Sequence, residues 1–221
     1  MGVDRLRWLL LVPLIALVSG CDSGERPKHL LYGERPAEFR PVHGSVVAIG
    51  RVLRGTTLGR RFLLCRAGLR VDGVPADALV VERIGVFAQS LTFADRRHRT
   101  IYACDGGVDP AGERRPPWCS GSAGRLFERR LLDPRLDVGC RDADGHPVAY
   151  AWVEPVAGSH WIGVDQGTYT EMYEVLAGFP VRIATRRQIR LDRSSAEFTV
   201  TQYDVHGDEL VRTTLEAAVA G

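Results

Sequence analysis

The chain has 221 residues, 45% of them hydrophobic, with a formal net charge of +2 at neutral pH, enough for one large or two small domains. So near-neutral a chain lacks the basic footprint that a nucleic-acid partner requires. Its positive charge is almost all arginine, 28 residues against the single Lys28, a usage that reflects GC-rich coding before function; with no asparagine there is no N-glycosylation acceptor.

The first element is a leader. Arg5 and Arg7 precede an apolar run from Trp8 to Val18, then Ser19, Gly20 and Cys21, the charged, apolar and small order of a secretory signal. The run is interrupted by Pro13 and falls well short of the roughly 20 helical residues needed to cross a bilayer. Val18-Ser19-Gly20-Cys21 resembles the lipobox of bacterial lipoproteins, a resemblance confined to residues 1–21. It implies that the Cys21 thiol receives a diacylglyceryl group, that residues 1–20 are cut away and that the new amino terminus is acylated. Such an anchor holds stably where a single acyl chain does not. Asp22 is the residue with which this family often marks retention on the inner membrane. The expected location is the extracytoplasmic face of the cell membrane, with a formal charge that falls to +1 once Arg5, Arg7 and Asp4 are lost.

Residues 21–43 read as the lipidated cysteine and a flexible tether in which Gly24-Glu25-Arg26-Pro27 recurs as Gly33-Glu34-Arg35-Pro36. Fully extended, it reaches up to about 70 Å. From Gly44 onward, short runs rich in Val, Ile, Leu, Thr and aromatics alternate with Gly, Pro and Asp. Strands are expected near 45–53, 61–66, 79–87, 90–95, 99–104, 136–141, 147–153, 160–165, 169–176, 180–185, 196–203 and 209–215. Turn chemistry marks Asp95–His98, Asp142–Gly145, Ala177-Gly178 and Asp204–Gly207. The fold class is all-β, an Ig-like or β-sandwich architecture with a disulfide-stapled first half. One segment, 122–132, also carries helical spacing through Leu126, Phe127, Arg130 and Leu131, with Ser122 placed to cap it and Asp133-Pro134 to stop it.

Beyond the anchor stand Cys65, Cys104, Cys119 and Cys140, an even number that implies two disulfides in an exported chain. Three pairings are open. Cys140 follows Leu136 and Val138 at period two, which favours Cys65–Cys140 with a local Cys104–Cys119 staple slightly over Cys65–Cys104 with Cys119–Cys140. All four fall before residue 141, so the chain divides into a β domain over 44–153 and a smaller Ig-like one over 154–221. A single sandwich over 44–221 is the alternative.

Catalytic motifs are sparse. There is no H-E-x-x-H, no G-x-S-x-G and no Gly-rich phosphate loop, and the six histidines are scattered. Asp142-x-Asp144-Gly145 resembles part of a calcium loop, but Cys140 and Ala151 occupy ligand positions in that register, so it reads as a hairpin turn and no metal or cofactor is expected. The aromatic residues cluster: Tyr150, Trp152, Trp161, Tyr169 and Tyr173. On a strand Tyr169, Glu171 and Tyr173 share one face, an arrangement of rings about a carboxylate suited to a sugar; cross-strand packing is the plainer reading. Paired arginines such as Arg60-Arg61 and Arg186-Arg187 suit anionic lipid or wall polymer, or simply solvated edges. The expectation is a non-catalytic binding or structural protein of the cell envelope, whose partner beyond the membrane is cell-wall glycan or another envelope protein. A hydrolase with dispersed catalytic residues, or an accessory subunit of a membrane complex, is the alternative.

Overall fold

The computed structural model describes residues 44–54, 59–72, 78–95, 99–108, 118–125, 140–187, 189–190 and 195–218. The leader, Cys21, the tether and most of the 122–132 segment lie outside the described residues. The elements in order are β1 (Ser45–Leu53), α1 (Arg60–Leu69), β2 (Val80–Ile84), β3 (Ala88–Asp95), β4 (Thr100–Gly107), β5 (Ser120–Arg125), β6 (Ala149–Val153), β7 (Trp161–Asp165), β8 (Thr170–Glu174), β9 (Val181–Thr185), β10 (Ile189–Arg190), β11 (Ser195–Tyr203) and β12 (Glu209–Ala218). The all-β expectation holds, with one helix beside the strands among the described residues.

Ten strands form one sheet in the order β10-β11-β7-β8-β1-β2-β3-β4-β5, with β12 along β11, while β6 and β9 make a separate two-stranded ribbon. β1 joins two antiparallel sets: Ser45–Ala48 run parallel to β8 and Ile49–Leu53 antiparallel to β2. Where it changes partner, Gly50 stands opposite Arg83, whose buried guanidinium donates to the Glu174 carbonyl at 3.2 Å. Burial pulls Arg83 down to about 10, against the opposing influence of Tyr173 and Glu174, so it remains charged at neutral pH.

The ribbon is the centre of the molecule. All ten of its residues, Ala-Tyr-Ala-Trp-Val and Val-Arg-Ile-Ala-Thr, are buried, which requires cover on both faces. Ala149, Ala151, Val153, Val181 and Ile183 pack with Ile162, Val164, Phe198 and Val200 of β7 and β11. On the opposite face, Trp152 packs with Ala94, Ile101 and Ala103 of β3 and β4, and Tyr150 and Ala184 with Phe87, Cys140 and Val148. The long sheet therefore curls so that its two halves enclose the ribbon. β6 pairs with β9 and β1 with β8, so strands from 44–153 and 154–221 share sheets. The expected division after Val153 does not separate two cores among the described residues.

Three local expectations are corrected. The 61–66 strand is part of α1, which has no β-branched residue and places Phe62, Cys65 and Leu69 at helical spacing toward the sheet. Gly59 precedes it, and Arg70, in the left-handed conformation at φ 53°, closes it with its N–H on the Ala67 carbonyl, followed by Val71 N–H on Arg66. The described part of the 122–132 segment is strand, not helix: Ser120–Arg125 pair with Thr100–Asp105, and a side chain at Gly121 would stand 2.5 Å from the Leu69 methyl of α1. Finally, the disulfides are Cys65–Cys104 and Cys119–Cys140. A helix laid across β4 brings Cys65 to Cys104 with Cα atoms 5.7 Å apart, a placement that the strand reading of 61–66 does not produce.

Candidate functional site

The aromatic-rich stretch over β6–β8 forms no surface platform. Glu171 and Tyr173 share one face of β8, as their spacing predicts, but the face is internal: Glu171 is 0% exposed and Tyr173 3%. Tyr169, just before the strand, is partly buried. The predicted sugar-stacking face of Tyr169, Glu171 and Tyr173 is thus corrected at its centre, because Glu171 is buried and the Tyr173 ring is covered by the ribbon, so neither can meet a ligand on this face. The Tyr173 hydroxyl donates to Glu171 Oε2 at 2.9 Å and accepts from the Ala184 N–H at 3.3 Å, while Val86 N–H donates to Glu171 Oε1 at 2.8 Å. A side chain at Gly85 would stand 2.2 Å from the same Oε1, so glycine there lets the carboxylate reach the β2–β3 turn. Burial pushes the Glu171 carboxyl up to about 7 despite the opposing hydrogen bonds from Val86 and Tyr173 and the charge of Arg186.

A second internal cluster joins β4 to β9. Arg182 grips Asp105 with two hydrogen bonds, Nε to Oδ1 at 3.1 Å and Nη2 to Oδ2 at 2.6 Å, and neither side chain is more than 1% exposed. The guanidinium carbon lies 5.5 Å from the Tyr150 ring centre and 5.2 Å from that of Trp152. Tyr150 donates to the Gly106 carbonyl at 2.9 Å. This ion pair is absent from the sequence expectations: Asp105-Gly106-Gly107 resembles a turn yet continues β4. The signal available was Arg182, a lone charge inside the apolar run Val181–Ala184.

The Asp142 turn is the third. A side chain at Gly107 would meet the Arg141 carbonyl at 2.1 Å, so glycine lets this segment cross the end of β4. Asp142 Oδ1 accepts from the Asp144 and His146 N–H groups, and Oδ2 from Arg186 at 3.0 Å with His146 Nδ1 at 3.3 Å. Burial raises the Asp142 carboxyl, but the His146 N–H, Arg186 and the His146 ring together hold it below its usual value. Ligand atoms of Asp142, Asp144 and His146 lie within 4.8 Å of one another. The positive charge beside these carboxylates is the Arg186 guanidinium, with Nη1 3.0 Å from Asp142 Oδ2 and 3.9 Å from Asp144 Oδ2, and it also lies 5.2 Å from the Phe87 ring centre. The hairpin expected here forms, with Arg141 and Pro147 bridging and Gly145 at φ 85°.

These carboxylates are engaged in holding segments together: β8 to the β2–β3 turn, β4 to β9, and the 142–146 turn to the residue after β9. Among the described residues no histidine is hydrogen-bonded to a serine, and the exposed His146 meets only Asp142. The four paired cysteines staple the β4 region, while Cys21 lies outside the described residues. No protein family, curated protein or solved structure matches the chain.

Proposed function

We propose that the protein is a lipid-anchored component of the bacterial cell envelope, held on the extracytoplasmic face of the membrane, whose β body works by binding or as a structural part. The observation that carries this reading is Val18-Ser19-Gly20-Cys21 at the end of an apolar leader, followed by a tether long enough to hold a body off the lipid. Two disulfides in the body support export, because such bonds persist in oxidising compartments. The engagement of the buried carboxylates in internal contacts supports a non-catalytic role. Its partner is wall glycan or a second envelope protein, met by a surface other than β8.

The reading is tested by palmitate labelling and membrane fractionation of the full chain in a bacterial host. The wild type is expected to carry label and fractionate with membranes. Cys21→Ala is expected to lose the label. A Cys21→Ala chain that is processed and retained as the wild type is would overturn the anchor.

A further inference from the structure

Helix α1 is fastened by its inner side and open on its outer one. Phe62 and Cys65 are buried, Cys65 is bonded to Cys104, and the Trp118 indole N–H donates to the Arg61 carbonyl at 2.9 Å. These contacts fix which face looks outward. On a 3.6-residue repeat that face carries Arg60, Leu63, Leu64 and Ala67, with Leu63 59% and Leu64 43% exposed, and Arg70 follows in the exposed left-handed turn that ends the helix. No acidic residue occurs from Gly59 to Val71. Arg61, on the inner flank, is paired with Glu82 at 2.9 Å. Arg60 and Arg70, at the two ends of the leucine pair, form no ion pair with a described residue.

We propose that this face of α1 rests on the anionic phospholipid headgroups of the membrane that holds Cys21, an inference that depends on the anchor reading for its setting. Leucines between two guanidinium groups complement a surface in which phosphate oxygens overlie acyl chains, and guanidinium groups bind phosphate with two hydrogen bonds. The helix lies on the membrane: no described helix is long and apolar enough to cross one. Two leucines and two arginines hold a free protein weakly, but an anchor turns docking into an intramolecular step at high effective concentration. Twenty-two residues separate Cys21 from Gly44, and that number at full extension would span about 70 Å, more than the roughly 30 Å length of β1.

The test uses the full chain, purified from bacterial membranes and reconstituted in vesicles of phosphatidylglycerol and phosphatidylcholine whose acyl chains are brominated near the headgroup. Leu64→Trp places a fluorophore on α1; Leu210→Trp, at an exposed position on β12, is the control. The added emission of Leu64→Trp is expected to be quenched about twofold or more relative to that of Leu210→Trp, and the quenching to be lost with Arg60→Glu/Arg70→Glu. Equal emission from the two variants overturns the proposal, whether or not Cys21 carries acyl chains. The mass of the amino-terminal peptide from the same sample reports on the anchor separately. A blue shift at Leu64→Trp without lipid quenching places a protein surface or a second copy on α1, and also overturns it.

Discussion

Glu171 is a carboxyl group without water, and its chemistry sets a pH dependence for the whole chain. Burial, the dominant influence, moves it from 4.5 to about 7, so the folded chain holds this proton more tightly than the unfolded one. Its contribution to stability is therefore complete below 4.5, the unfolded value, and is lost as the pH rises through about 7. Glu174, also raised by burial, acts with the same sign. Urea unfolding is expected to show the wild type losing about 2 to 3 kcal/mol between about pH 5 and pH 8. Glu171→Gln keeps an acceptor toward Val86 and should leave only the smaller slope from Glu174. A variant slope equal to that of the wild type would exclude Glu171 as the source. The Arg182–Asp105 pair differs in kind. Both groups are already bonded to each other, and the position of Arg182 over two rings offsets part of the cost of removing it from water.

At the scale of elements, α1 and β5 depend on each other. Leu69 sits over Gly121, Cys65 reaches Cys104, and Phe62 meets Phe93 edge-on with ring centres 5.3 Å apart. The helix has ten residues, too few to persist alone in water, so its existence follows from these contacts. The Cys65–Cys104 bridge closes 39 residues of sequence, and its removal from the unfolded ensemble corresponds to about 4 kcal/mol. Cys65→Ala/Cys104→Ala is expected to lower unfolding stability by about that amount while keeping the Cys119–Cys140 bond. Non-reducing peptide mapping of the wild type should recover the two bridges as Cys65–Cys104 and Cys119–Cys140. A Cys104–Cys119 peptide would contradict the placement of α1 across β4.

For the whole molecule, the ribbon of β6 and β9 is decisive. Its strands are 28 residues apart from Val153 to Val181 at one end of the register and 36 from Ala149 to Thr185 at the other, so it forms only when both halves of the chain are present. Residues 44–153 alone would expose Ala149–Val153 on the side where β9 belongs and leave Asp105 without Arg182. That fragment is expected to lack fixed aromatic packing in near-ultraviolet circular dichroism and to bind an apolar dye. The chain covering residues 22–221 should show a single cooperative transition. A cooperatively folded 44–153 fragment would favour the two-domain division over the single body.

The sequence alone determined most of the strands and their faces. Short runs rich in Val, Ile, Thr and aromatics, such as Ser45–Leu53, Val181–Thr185 and Ser195–Tyr203, identify strands because strand propensity and side-chain alternation are local, and the turns at Asp142 and Asp204 follow from aspartates that bond their own backbone. The same periodicity put Glu171 and Tyr173 on one face. Only tertiary structure decided that this face is inside, since alternation says which residues look the same way and not what covers them. Long-range contact likewise decided α1, whose ten residues gain their helix from the sheet beneath, and the cysteine pairing that α1 creates. It also placed Arg182 against Asp105, 77 residues apart: each looks like a surface charge until the curled sheet closes around the ribbon and excludes water from both.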